Sequence, residues 1–202
     1  MNSITNTTNS SGYLALALRQ RLIKRWSLMH CVWEENDLEH VSVVALLALM
    51  AGHLANNRGK NVNIQRMMAH GLVHDQAEIL ASDLVQSVKY ATPEMADAYS
   101  KIESAAQEQL ISTIPDELRE VMASYFEISG YERGLTKACD TYSAYIKATQ
   151  EVAAGNHLEF GDALKKIEAI VDDLRREFEE IDLIHQYFSD GFDKSVDALL
   201  GK

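Results

Sequence analysis

The chain has 202 residues, 47% of them apolar, which is enough to close one hydrophobic core without division into domains. With 30 acidic against 19 basic residues the formal charge is −11, which excludes an extended surface for a nucleic-acid polymer or an anionic membrane unless the bases gather in one place. Cys31 and Cys139 stand far apart and outside any CxxC pair, so neither a disulfide framework nor a zinc knuckle is expected, and a reducing cytoplasm fits best.

The opening MNSITNTTNSSG is polar and lacks both basic residues and an apolar stretch. It reads as a loose tail over 1–12 rather than a targeting peptide, with a single domain over 13–202. Only Pro93 and Pro115 interrupt the remainder, and apolar residues recur at helical spacing with few period-two alternations, so an all-α protein is expected. Helices are expected over Tyr13–Lys24, Asp37–Asn56, Asn63–Ile79, Pro93–Ser112, Pro115–Phe126, Tyr131–Ala154 and Glu159–Phe188. Asp37 is expected to cap the second of these, and VSVVALLALMAG within it reads as core, being too short to span a bilayer. Gly59 in NNRGKN and the AAGN after Val152 suit left-handed turns that end helices.

The stretch GLVHDQAEILASD sets His74, Asp75, Glu78 and Asp83 in an apolar run. If the helix continues through it, His74 and Glu78 are four apart and Asp75 and Glu78 three apart, so all three project over neighbouring parts of one surface. Burying such acids costs several kcal/mol, on the order of an unpaired charge, unless a cation neutralises them. A histidine–aspartate dipeptide alone is far more often a capped helix end with a solvated acidic face. Two distant residues add to it: His40 opens an apolar helix, and Asp140 interrupts the apolar rhythm of another. His40, His74, Asp75 and Asp140 together offer two imidazoles and two carboxylates, a donor set suited to Mn, Fe, Co, Ni or Mg rather than to sulfur-bound structural zinc.

The order of a His in LEH, then HD, then the Asp of KACD resembles the metal motif of the all-helical HD-domain phosphohydrolases. More narrowly, LIKRWSLM, EENDLEH, HDQAEILASDLVQSVKY, KIESAAQEQL, IPDELRE and KACDTYSAYIKA followed by EVAAGN resemble the bacterial 5′-deoxynucleotidases of the YfbR type, from about Leu18 to Asn156. The resemblance implies an HD-domain helical bundle with His40, His74, Asp75 and Asp140 as ligands of a divalent metal such as Co²⁺ or Mn²⁺. It implies Glu78 as the acid beside the attacking water, Arg25 and Trp26 as the pair that holds the 5′-phosphate and senses the sugar, and Asp83 as an acid facing the deoxyribose. It further implies a deoxynucleotide substrate and a homodimer. Physical chemistry agrees with these roles: a guanidinium forks onto phosphate oxygens, an indole can wall off a 2′-hydroxyl, and a carboxylate can accept from a 3′-hydroxyl.

Plainer readings stand beside these. Arg25 and Trp26 also suit a helix-end cation and a half-buried anchor, Asp83 an N-cap, and Lys89 a surface lysine or a second phosphate contact. HGLVH has the two-histidine spacing of a zincin helix, but Gly71 follows His70 where a Glu is required, so His70 reads as packing or support for the site. The sequence departs from the family's pattern after Ser82, where LVQSVKY lacks the prolines of relatives and ASD replaces Thr-Gly-Asp. Two alternatives therefore stand beside the deoxynucleotidase reading: a dATP-type dNTP triphosphohydrolase of the same fold, and a nucleotide-binding regulator without turnover.

Overall fold

A computed structural model describes residues 10–82 and 84–201, and for Gln86 and Ser87 the backbone alone. Residues 1–9 of the expected tail lie outside it, while Ser11 donates to the Thr113 carbonyl at 2.6 Å. The described chain is helical, and its isolated Lys24–Asn36 antiparallel bridge is the one β-type pairing recorded among the described residues. The elements are α1 (Tyr13–Ala17), a 3-10 turn (Leu18–Leu22), α2 (Asp37–Asn57), α3 (Ile64–Val73), α4 (Glu78–Ala81), α5 (Gln86–Lys89), α6 (Pro93–Ser112), α7 (Asp116–Phe126), α8 (Gly130–Ala153), α9 (His157–Glu177), α10 (Glu179–Phe188) and α11 (Val196–Leu199).

α2 is the central helix. By length and composition it is long and apolar enough to cross a membrane, yet Val44, Leu47, Ala48, Ala51 and Ala55 are buried against Met67 of α3, Leu135, Cys139 and Tyr142 of α8, and Ile181 and Ile184 of α10. Small residues on α2 allow close approach. A Cβ on Gly71 of α3 would stand 3.1 Å from both the Cα and the backbone nitrogen of Ala45, so the two helices touch backbone to backbone one turn before His74. Gly59 and Gly155 take φ values of +80° and +93° at the helix ends where left-handed turns are expected.

The structure differs from the sequence expectations at four points. Asn36, not Asp37, caps α2: its side chain accepts from the Glu39 amide at 3.1 Å while the Glu39 carboxylate accepts from the Asn36 amide at 3.0 Å, a reciprocal capping box. Asp37 is instead fully buried and accepts from Gln20 Nε2 at 2.7 Å. The first helix stops at Ala17 and tightens to 3-10 geometry, because Ile23 must be extended for Lys24 to pair with Asn36. α9 and α10 are separate, broken at Phe178, whose extended backbone (φ −119°, ψ 105°) turns its ring into the core against Tyr131 and the space left by Gly134. Glu180 beyond that break is buried between Lys60 Nζ at 2.8 Å and the Tyr131 hydroxyl at 2.6 Å.

The fourth difference concerns the site itself. α3 ends at Val73, and His74 to Glu78 form a tight turn with i→i−3 bonds from Gln76 to Val73 (3.0 Å) and from Glu78 to Asp75 (2.9 Å). The histidine–aspartate pair thus leaves the helix instead of continuing it.

Gly71→Ala should cost about 1–3 kcal/mol, because backbone rather than a movable side chain faces the new methyl group. At roughly 2–4 °C per kcal/mol for a chain of this size, thermal unfolding should report a loss of a few to about 12 °C. An unchanged melting temperature would show that α2 and α3 separate without strain.

Candidate metal centre

His40 projects from the first turn of α2 and is wholly buried; His74 and Asp75 come from the turn after α3; Asp140 comes from the middle of α8. Their polar atoms converge. His40 Nε2 lies 2.9 Å from Asp140 Oδ1 and 3.7 Å from Asp75 Oδ2, and His74 Nε2 lies 3.2 Å from Asp75 Oδ2 and 4.0 Å from Asp140 Oδ1. One donor atom each from His40, His74 and Asp140 falls within 4.8 Å of the others. All four residues singled out from the sequence as ligands are therefore neighbours in space.

The donor set fits a divalent metal on a specific observation. Both Nε2 atoms are buried without a hydrogen bond of acceptable geometry, although carboxylate oxygens stand close by. Such orphaned nitrogens are costly, and a metal ion would satisfy both once His74 gives up its Nε2 proton. The other ring nitrogens are engaged: His74 Nδ1 donates to the Gly71 carbonyl at 3.0 Å, and His40 Nδ1 stands 3.2 Å from Ser143 Oγ. The Gly71 carbonyl can only accept, so it holds the proton of His74 on Nδ1 and leaves Nε2 facing the carboxylates.

Electrostatics inside the cluster follow from burial opposed by pairing. Burial acts against a charged His74, but the Asp75 carboxylate, then Asp140, outweigh it and raise its pKa to about 9. Burial likewise pushes Asp75 up, and the charges of His74, His40 and Arg25 hold it far below the usual carboxylate range. Asp140 is also depressed, against burial, by His40 and His74. Asp37 behaves in the opposite sense: burial and the charge of Asp75 push it up to about 7, only partly offset by the Gln20 hydrogen bond.

Glu78, on the first turn of α4, has a carboxylate oxygen within 4.8 Å of oxygens of Asp75 and Asp37, and so stands at the edge of the cluster. Arg25 Nη1 lies 3.6 Å from Asp75 Oδ2, and its Nε lies 3.7 Å from Glu35 Oε2. Trp26 Nε1 donates to the same Glu35 oxygen at 2.7 Å, and its ring packs on Phe160 with centroids 5.1 Å apart. The Trp26 backbone has φ +56°, a left-handed conformation that costs a non-glycine residue about 1–3 kcal/mol and persists only where surroundings enforce it. Asp83 lies outside the described residues.

Lys89 is paired with Glu103 at 2.7 Å and lies over the Tyr99 ring, which accounts for it as a structural cation. His70 approaches the Tyr125 carbonyl through Nδ1 at 2.9 Å and packs near His74, in keeping with a supporting place. A cleft of about 750 Å³, bordered by His74 and Asp140 and by Arg133 and Lys137, opens beside the cluster. Sequence reading missed Glu35, which joins Arg25 to Trp26, and Ser143, which meets His40. It assigned Asp37 to a cap; the Asn-x-x-Glu spacing of Asn36 and Glu39 was the available signal that Asp37 had another place.

Comparison with known proteins gives a consistent result. The model of the family described as 5′-deoxynucleotidase YfbR-like matches residues 12–192. A 5′-deoxynucleotidase of Vibrio vulnificus is 35% identical over 193 residues, covering 94% of this chain and 98% of its own, and the 5′-deoxynucleotidase YfbR of Shigella boydii is 36% identical, covering 94% and 96%. An HD-domain phosphohydrolase from Listeria innocua shares the fold with a TM-score of 0.76 at 21% identity, covering 89% of this chain and 87% of its own. The HD phosphohydrolase DatZ of cyanophage S-2L, solved with dA and one catalytic Zn²⁺ ion, has a TM-score of 0.60 at 23% identity, covering 90% and 96%.

With His74 as a ligand, its raised pKa would make metal binding pH-dependent. In the metal-free protein its stabilising contribution is complete below its unfolded value of 6.5 and is lost as pH rises through about 9; that of Asp75 is present above 3.8 and lost in acid. A metal must displace the His74 proton, so Mn²⁺ or Co²⁺ binding at pH 7 should release protons, and affinity should rise with pH up to about 9. Calorimetry in buffers of different ionisation enthalpy reads the protons directly; a buffer-independent heat would count against His74 as a ligand.

Proposed function

The chain belongs to the YfbR-like 5′-deoxynucleotidase family, and on that premise we infer that it is a metal-dependent phosphomonoesterase that converts deoxyribonucleoside 5′-monophosphates to deoxyribonucleosides and phosphate. The observation that carries this reading is the family match along nearly the whole chain, and the convergence of two orphaned imidazole nitrogens with two carboxylates supports it. His40, His74, Asp75 and Asp140 hold the metal, and Co²⁺ or Mn²⁺ suits their mixed nitrogen and oxygen set. When bound, the divalent ion polarises a phosphoryl oxygen and makes water a competent nucleophile near neutral pH.

The residues of the chain do the rest. Ser143 and the Gly71 carbonyl fix the two rings so that both Nε2 atoms face inward. Glu78 orients the attacking water and takes its proton; the water oxygen bonds to phosphorus as the bond to the 5′-oxygen breaks, that oxygen gains a proton from solvent to leave as the nucleoside hydroxyl, and Glu78 returns its own proton to solvent. Arg25, flanked by the Glu35 and Asp75 carboxylates at 3.7 and 3.6 Å, offsets phosphate charge. Trp26 walls off the place of a 2′-hydroxyl, and Asp83 accepts from the 3′-hydroxyl. The acidic balance suits a small nucleotide rather than a nucleic-acid polymer. A cytoplasmic homodimer completes the reading.

Release of orthophosphate from dAMP well above that from AMP, with metal-stripped protein resupplied with Co²⁺, Mn²⁺, Mg²⁺ or Zn²⁺ in turn, tests the reading. Tripolyphosphate from dATP alone would move the activity to a triphosphohydrolase, and binding without product would make the protein a regulator. Glu78→Ala should keep the metal and lower kcat by about 10²–10⁴-fold, whereas Asp75→Ala should lose metal and turnover together. Full activity in Glu78→Ala would remove it from the water. Trp26→Ala should narrow the ratio of dAMP to AMP hydrolysis; an unchanged ratio would take Trp26 out of sugar selection.

A further inference from the structure

Arg25, Trp26 and Glu35 stand on an excursion of chain between the 3-10 turn and α2 that has little secondary structure of its own. Its neck is closed by the Lys24–Asn36 bridge, with the Arg25 amide donating to the Glu35 carbonyl at 3.0 Å and the Asp37 amide to the Ile23 carbonyl at 3.0 Å. Its far part is held by side chains from the end of α8 and just beyond it, with Glu151 at their centre. Glu151, fully buried near the end of α8, accepts from the amides of Val32 at 2.8 Å and Trp33 at 3.1 Å, from Lys147 Nζ at 2.5 Å and from Asn156 Nδ2 at 2.8 Å. Lys147 also donates to the Trp33 carbonyl, and Asn156 donates to the His30 carbonyl at 2.8 Å.

A buried carboxylate that spends its acceptors on the backbone of a distant loop is an expensive way to fill space, since an apolar side chain would fill it without desolvating a charge. Its pKa, which burial would raise, is instead brought down to about 2 by Lys147, Asn156 and the two loop amides, so the donors are matched to an ionised acceptor. Helix geometry adds a second fact. Asp140, Ser143, Lys147 and Glu151 recur at spacings of three and four and so share one face of α8, with Glu151 roughly 16 Å along the axis from Asp140. The same rigid face therefore carries a metal ligand, the partner of His40 and the clamp on the loop.

We propose that Glu151 is a positioning residue for substrate recognition: with Lys147 it locks the far part of the 24–36 segment to α8, so that Arg25 and Trp26 are held at a fixed place relative to the metal-binding set. The left-handed backbone of Trp26 is the conformation this lock keeps populated. The proposal rests on the reading of Arg25 and Trp26 as substrate contacts.

Both tryptophans of the chain, Trp26 and Trp33, lie on this segment, so fluorescence reports on it directly. In metal-loaded protein carrying Trp33→Phe, which leaves Trp26 as the single reporter, Glu151→Gln should raise acrylamide quenching of Trp26 severalfold while helical circular dichroism and metal content stay unchanged. With dAMP as substrate, KM should rise by about tenfold and kcat stay within about twofold, with a smaller preference for dAMP over AMP, because binding geometry rather than the chemical step is loosened. Glu151→Ala should exceed Glu151→Gln in each readout, since Gln keeps one acceptor oxygen. Asn156→Ala, which removes only the outer donor, should move the same readouts in the same direction and decides the matter if Glu151→Gln does not fold. Unchanged quenching and KM in a folded variant would overturn the proposal, as would a loss of activity that merely tracks the folded fraction. Raised quenching with unaltered KM and sugar preference would also overturn it, and would place the failure in the roles given to Arg25 and Trp26 rather than in the clamp.

Discussion

Charged groups withdrawn from water attract and repel one another far more strongly than in bulk solvent, and each must find a partner or be neutralised. At the junction of α2, the turn after α3 and α8, the structure gathers His40, His74, Asp75 and Asp140 under this constraint, with Asp37 and Glu78 at their edge. Much of the nearby architecture serves to hold these groups together. The glycine at position 71 lets α3 lie directly on the backbone of Ala45, which brings the turn bearing His74 beside His40.

The same constraint explains why neighbouring acids behave differently. Asp75 has cationic groups around it and stays ionised well into acid; Asp37, as deeply placed, has Gln20 as its hydrogen-bond donor and the Asp75 charge against it, and is held near neutrality. Residues of one chemical type are thus divided by surroundings into a carboxylate that stays ionised beside cationic groups and one that binds a proton far more readily.

A separate economy governs the segment with Arg25 and Trp26. It has almost no regular backbone pairing beyond its neck, and its order comes from side chains: Glu35 spans Arg25 and Trp26, Phe160 backs the indole, and Glu151 and Asn156 tie the far part to the end of α8. A loop held by buried hydrogen-bonded charge keeps a strained residue in place without a core of its own. The large apolar core formed by α2, α8, α9 and α10 supplies the rigid frame to which that loop is fixed.

The helical class and most helix limits were legible because apolar periodicity is a local property: Pro93–Ser112 is found as expected, and the helices ending in Phe126 and Ala153 differ by a residue or so at their ends. That the histidines and aspartates of LEH, HD and KACD would form one cluster was likewise legible, since donor type resides in residue identity and order. What the sequence left undecided depends on groups far apart in the chain. Continuing the helix through His74 satisfied local spacing as well as the observed turn did, and only the packing of α3 on α2 together with the pull of Asp75 and Asp140 selects the turn. Phe178 breaks a helix that periodicity would extend, because its ring is better buried beside Gly134 than exposed. Glu35, Ser143 and Glu151 lie in the quoted motifs, but residue type and spacing did not announce their partners: Ser143 meets His40 and Glu151 meets the Val32 and Trp33 amides only in the tertiary structure, across as many as 119 residues for Glu151.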